Sequence, residues 1–136
     1  MPLVSIVIPF KNTASFLAEC LDSILIQTYK DWEVIAINDH STDNSLNVVK
    51  TYAKKDSRFQ VFSNEGTGII PALQTAYKKT SGTFITRMDS DDIMKPNRLQ
   101  VMTDLLTKYG KGNVSVGQVR NFQNPRTLRP KLFFRY

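Results

Sequence analysis

The sequence predicts an α/β fold: a mostly parallel sheet with helices on both faces. Three observations carry this. Short apolar, strand-like runs alternate with longer stretches of helical periodicity four times in succession from the first residues. Polar and acidic residues concentrate where the strand-like runs end, and parallel sheets bind ligands beyond the carboxyl ends of their strands. The 136 residues suffice for one domain with a core and are too few for two.

The elements follow in order. Val4-Ser5-Ile6-Val7-Ile8, bounded by Pro9, reads as a buried strand. Residues 14–27 place Phe16, Leu17, Cys20, Leu21, Ile24 and Leu25 on one helix face. Trp32–Ile37 is a second strand. A helix from about Asp43 directs Leu46, Val49, Tyr52 and Ala53 to one side, with Asp43 as the expected N-cap. Phe59–Phe62 is a third strand. Gly66 and Gly68 break the chain before a helix over Ile69–Lys79, with Pro71 in its first turn, where no donor is needed. Thr83–Met88 is a fourth strand. A helix over Pro96–Tyr109 turns Leu99, Met102, Leu105, Leu106 and Tyr109 inward, and Val114–Val119 is expected as a fifth strand.

Composition bounds the function classes. A 41% hydrophobic and 22% charged chain is ordinary for a globular protein. No apolar run approaches the roughly 20 residues of a membrane helix, and no leader pattern opens the chain, so the expected location is cytoplasmic. The single cysteine, Cys20, is expected as a buried core thiol. Residues 1–104 hold 11 Lys and Arg and all 12 Asp and Glu, whereas residues 105–136 hold 7 Lys and Arg and no acid. The basic character therefore belongs to the tail. It is either a solvated end or a contact for anionic lipid at the inner face of a membrane. No zinc-finger spacing or aromatic-and-basic signature points to nucleic acid.

Two clusters carry chemistry. Asp89-Ser90-Asp91-Asp92 follows the fourth strand. Three carboxylates in four residues repel one another, and a hard divalent cation offsets that repulsion. Alternation can place Asp89 and Asp91 on one side, leaving Asp92 to cap the next helix. A loop with only capping duties is the alternative. Asn38-Asp39-His40-Ser41-Thr42-Asp43 follows the second strand. Asp39 suits either hydrogen bonding to a base or sugar, or a turn. His40, the only histidine, is read as a surface turn residue. The glycines at 66 and 68 fit neither the dinucleotide fingerprint nor the P-loop.

Val4–Phe10 with Asn12, then Cys20–Ile24 and Gln27-Thr28-Tyr29, then Trp32-Glu33, then Asn38-Asp39 with Ser41-Thr42-Asp43, then Arg87–Asp92 together resemble the family 2 glycosyltransferases with a GT-A, Rossmann-like fold. The resemblance runs over about residues 3–119. It implies a nucleotide-sugar-binding domain over 1–122, with 123–136 as a basic, irregular tail. It implies that Pro9 and Phe10 line the nucleobase pocket with Asn12 nearby, that Asp39 binds the base, usually uracil, and that Asp89 contacts ribose or metal. Asp91 would coordinate the Mn2+ or Mg2+ that bridges the diphosphate. The implied chemistry is inverting transfer from a UDP-sugar to a saccharide or lipid-linked acceptor in cell-surface polysaccharide synthesis. The family's acceptor half and catalytic base lie beyond residue 136, so the chain reads as truncated after the donor-binding half. A donor-binding module without transfer is the alternative, and a metal-dependent phosphate hydrolase a third reading. Two positions depart from the family. His40 stands where many members have Gly, in a turn that would strain a larger residue if φ is positive. Ala72-Leu73-Gln74 replaces Ala-Arg-Asn, which leaves Arg87 as the substitute for a donor-phosphate arginine.

Overall fold

The computed structural model describes residues 1–117. Strands β1 (Val4–Phe10), β2 (Trp32–Asn38), β3 (Phe59–Ser63) and β4 (Phe84–Arg87) alternate with helices α1 (Ala14–Leu25), α2 (Ser45–Lys55), α3 (Ile69–Tyr77) and α4 (Arg98–Tyr109). The sheet order is β3-β2-β1-β4 and every pairing is parallel. This is the expected α/β architecture. The expected fifth strand is not formed over 114–117; residues 118 and 119 lie outside the described range, as does the basic stretch 123–136.

β1 and β2 occupy the middle of the sheet and every residue in them is buried. That is why their sequences are nearly continuous apolar runs with no polar alternation. One face packs Ile6, Ile8, Phe10, Val34 and Ala36 against Leu17, Cys20, Leu21 and Ile24 of α1, Val49 of α2 and Leu99 of α4. The other face packs Val7, Ile35 and Ile37 against Ala72 and Ala76 of α3. Cys20 is buried as expected, and burial, reinforced by Asp92, Asp91 and Asp89, pushes its thiol pKa up to about 12. It is an inert core group.

Several boundaries and faces differ from expectation. Helix α4 begins at Arg98, after Pro96, and Leu105 and Tyr109 are exposed. The helix buries only Leu99 and Thr103 fully. Phe16 is likewise exposed on α1. Asp92 does not cap α4; its N–H donates to the Asp89 carbonyl in a turn five residues before Asn97, the residue at the cap position. Gln27 ties this region down. Its amide donates to the carbonyls of Ser23 and Lys95, and its oxygen accepts the Leu99 N–H.

At the amino end of the sheet, buried Glu33 accepts hydrogen bonds from the Ser5 hydroxyl (2.6 Å) and from the N–H (2.8 Å) and hydroxyl (2.9 Å) of Ser81. Gly82 donates to the Ser5 hydroxyl, and a Cβ on Gly82 would fall 2.6 Å from that oxygen. This latch fixes where β4 enters the sheet, and so where its far end delivers Asp89.

Candidate functional site

Parallel strands send all their carboxyl ends to one edge, so residues far apart in sequence meet there. β1 is central. Phe10 is in register with Asn38 of β2, and Val7 with Arg87 of β4. Asp39 and the acids after β4 therefore leave the sheet at nearly the same level on either side of β1. Two strand spacings, about 10 Å, separate the flanking strands.

Pro9 shapes the gap between β1 and β4. The register of β1 and β4 ends at Val7 opposite Arg87, where the Met88 N–H donates to the Val7 carbonyl at 3.0 Å. In a parallel ladder the next rung would run from residue 9 to the Met88 carbonyl, but proline has no N–H to give. β4 ends at Arg87 and the chain turns away into Asp89–Asp92. A proline is thus tolerated at the end of a central strand, where it halts pairing at the crevice.

On the β2 side Asp39 is 7% exposed. Its Oδ1 accepts the Asn64 amide at 2.9 Å, and both its oxygens lie 3.1 Å from the Gly68 N–H at the start of α3. The Asn64 amide, outweighing the cost of burial, and the Gly68 N–H hold the carboxyl below its ordinary range. Asp39 is thus anionic and fixed. A carboxylate offers about four lone-pair sites, so Oδ2 keeps capacity for an N–H from a ligand. Asn64 is buried, and its own Oδ1 accepts the Gly66 N–H.

Asn12 and the β2–α2 turn are interlocked. Asn12 sits at φ 51, a left-handed conformation that Asn tolerates. Its Oδ1 accepts the Thr42 N–H at 2.8 Å and lies 3.3 Å from the Asp43 N–H, while its own N–H donates to the Ser41 hydroxyl. Asp43 accepts the Ser45 N–H with one oxygen and the Ala14 N–H with the other. The cap position of α2 is Asn44, not Asp43 as expected; Asp43 instead stands one residue earlier and ties the starts of α2 and α1 together, and those hydrogen bonds, Ser45 foremost, lower its pKa.

On the β4 side Ser90 is buried while Asp89 and Asp91 are exposed, the alternation expected of an extended turn. Arg87 donates to Asp89 Oδ1 through Nε (2.9 Å) and Nη2 (2.7 Å). Asp91 has no side-chain hydrogen bond or ion pair among the described residues. The Asp92 carboxyl is pushed up by burial and then by the charges of Asp89 and Asp91. No group of three metal-ligating side chains converges among the described residues. This donor set suits a hard cation that shares one or two carboxylates with substrate phosphates, and does not suit a closed protein cage.

The structure thus brings Asp39, Asn12, Asp89, Asp91 and Arg87 to one edge. Phe10 ends β1 at the same edge; its ring is 2% exposed within the core cluster, and its carbonyl accepts the Asp39 N–H. Pro9 is buried within β1. Asn64 and Gly68, in the loop that follows β3, are the residues that fix Asp39.

Residues 5–136 match the family profile described as Glycosyl transferase family 2. The chain belongs to this family. The uncharacterized glycosyltransferase EpsJ of Bacillus subtilis is 35% identical over 130 residues, covering 96% of this chain and 38% of its own length. Among solved structures, Staphylococcus aureus TarS 1-349 in complex with UDP-GlcNAc superposes with a TM-score of 0.71 at 26% identity, over 78% of this chain and 31% of that one. The mannosyltransferase PcManGT from Pyrobaculum calidifontis, in complex with GDP-Man and Mn2+, superposes with a TM-score of 0.68 at 27% identity, over 92% of this chain and 36% of that one. The fold is the GT-A type of these neighbours. The chain spans less than two fifths of the length of each of these three proteins.

Proposed function

We propose that this chain is the donor-binding region of an inverting glycosyltransferase that takes a uridine diphosphate sugar with Mn2+ or Mg2+. One observation carries the reading: an anchored carboxylate, Asp39, and an unpartnered one, Asp91, flank the central strand at the crevice where β1 and β4 part. The TarS structure with UDP-GlcNAc and the PcManGT structure with GDP-Man and Mn2+ support the ligand class.

Asp39 accepts an N–H from the base edge, held in position by Asn64 and Gly68. Asp91 and Asp89 hold the divalent ion. When bound, that ion neutralises charge on the departing nucleoside diphosphate. Arg87 keeps Asp89 in place in the free protein and lies within the same edge to meet a phosphate. The acceptor is a saccharide or lipid-linked saccharide of a cell-surface polysaccharide, and the enzyme works in the cytoplasm, in peripheral contact with the inner face of the membrane. No helix among the described residues is long and apolar enough to cross a membrane.

Isothermal titration with uridine, cytidine and guanosine diphosphates, each with and without Mn2+, tests this. Metal-dependent binding with a preference for uridine supports the reading. Binding that ignores both base and metal defeats it.

A further inference from the structure

His40 stands at φ 55, in the left-handed region that a side chain with a Cβ rarely adopts. Such a conformation persists only where its surroundings hold it. Here the holding contact is specific: Nε2 lies 2.8 Å from the Gly66 carbonyl oxygen. A carbonyl only accepts, so Nε2 carries the hydrogen.

Gly66 is a fixed point. A Cβ there would meet Pro71 Cβ at 2.7 Å, so the glycine backbone lies directly on the first turn of α3. Its N–H donates to Asn64 Oδ1, while the Asn64 amide donates to Asp39 and to the Gly68 carbonyl. The Gly68 N–H closes the circuit on Asp39. The loop after β3 therefore grips Asp39 from one side and is itself gripped, at Gly66, by the residue that follows Asp39.

We propose that His40 is a positioning residue: by tying the β2–α2 turn to the β3–α3 loop it fixes the direction in which Asp39 presents its remaining lone pair to a nucleobase. This rests on the nucleotide-sugar reading above. His40 is exposed and makes no other side-chain hydrogen bond among the described residues, so its contact adds little to the core and much to the alignment of two loops.

The test compares His40→Gly, which relieves the φ 55 conformation but removes the donor, with His40→Gln, whose amide reaches about as far as the imidazole. UDP and CDP are titrated in the presence of Mn2+, and exchange of the Gly68 amide is followed by NMR. For His40→Gly we expect UDP affinity to fall about three- to tenfold, the size of one lost hydrogen bond, with a narrower preference for UDP over CDP and faster Gly68 exchange. The melting temperature should not fall, since glycine suits the backbone. His40→Gln should recover affinity and preference to within about twofold of the parent. Unchanged affinity and preference in His40→Gly would overturn the proposal, as would equal losses in both variants. If the parent binds no nucleotide, the functional reading fails, and the clamp is then judged on the Gly68 amide alone: unchanged exchange in His40→Gly overturns it.

Discussion

Asp39→Asn isolates the anchored carboxylate, because it keeps the shape and removes one acceptor. In the parent, Asp39 takes the Asn64 amide at 2.9 Å and the Gly68 N–H at 3.1 Å to each oxygen. An asparagine there has one carbonyl and one amide. With the carbonyl in the Oδ1 position, both the Asn64 amide and the Gly68 N–H are still accepted, but the new amide takes the Oδ2 position, 3.1 Å from the Gly68 nitrogen, donor against donor; with the carbonyl at Oδ2, the new amide faces the Asn64 amide instead. Asn64 cannot turn over without loss, since its Oδ1 already accepts the Gly66 N–H and its amide also serves the Gly68 carbonyl. Either arrangement sets the new amide against an existing buried donor where the carboxylate had offered an acceptor. Such a mismatch costs about 1–3 kcal/mol. The variant should therefore unfold at lower urea concentration by that amount, and UDP affinity should fall about 5- to 150-fold if the same geometry serves the base.

The pH dependence gives a second handle on the same substitution. The carboxyl of Asp39 titrates below its ordinary value in the folded state. A depressed carboxylate stabilises the fold above its unfolded pKa, near 3.9, and loses that contribution as pH falls through the folded value. The gap between parent and Asp39→Asn should be full at neutral pH and shrink below about pH 4. Equal urea midpoints for the two proteins at pH 7 would refute the reasoning.

Three further outcomes follow. Asp91→Ala should leave the urea midpoint within about 0.5 kcal/mol of the parent, because the side chain is exposed and unpartnered, while abolishing Mn2+-dependent UDP binding by calorimetry. Arg87→Met should change stability by less than about 1 kcal/mol, since its ion pair with Asp89 is half exposed and solvent-screened; a loss of several kcal/mol on denaturation would contradict this. Glu33→Gln should cost about 1.5–3 kcal/mol, because a buried carboxylate accepting three donors becomes a neutral amide. Burial alone would raise the Glu33 pKa, but the bonds from Ser5 and Ser81 together lower it, so this loss too should fade on acidification, as seen in urea midpoints at pH 7 and pH 3.

The sheet and the acidic edge were legible in the sequence for a physical reason. Central parallel strands are buried on both faces, so Val4–Phe10 and Trp32–Asn38 are written as apolar runs. Parallel topology then guarantees that whatever follows each run meets at one edge, which is how Asp39 and Asp89 can be paired without coordinates. The same doubly buried character hid the fate of Phe10. With no alternation, periodicity could not tell whether its ring entered the core or the crevice. The loop from Asn64 to Gly68 is marked by its place after the third strand, but its grip on Asp39 depends on how α3 enters the structure, which no local pattern states. On α4, apolar spacing suggested five inward residues, but β4 lies at the sheet edge, and Leu105 and Tyr109 extend beyond what it covers. The strained turn at His40 was anticipated; its partner, Gly66, came from another loop.

Paramagnetic broadening by Mn2+ tests the central claim most directly. With 15N-labelled protein and saturating UDP, substoichiometric Mn2+ should broaden the amides of Ser90, Asp91 and Asp92 most, then those of Lys11 and Asp39 across the crevice. Gly82 at the opposite end of the sheet should stay sharp, and in Asp91→Ala the pattern should vanish. Broadening centred away from the carboxyl ends of β1 and β4, or unchanged by Asp91→Ala, would contradict the assignment of nucleotide and metal to one shared crevice.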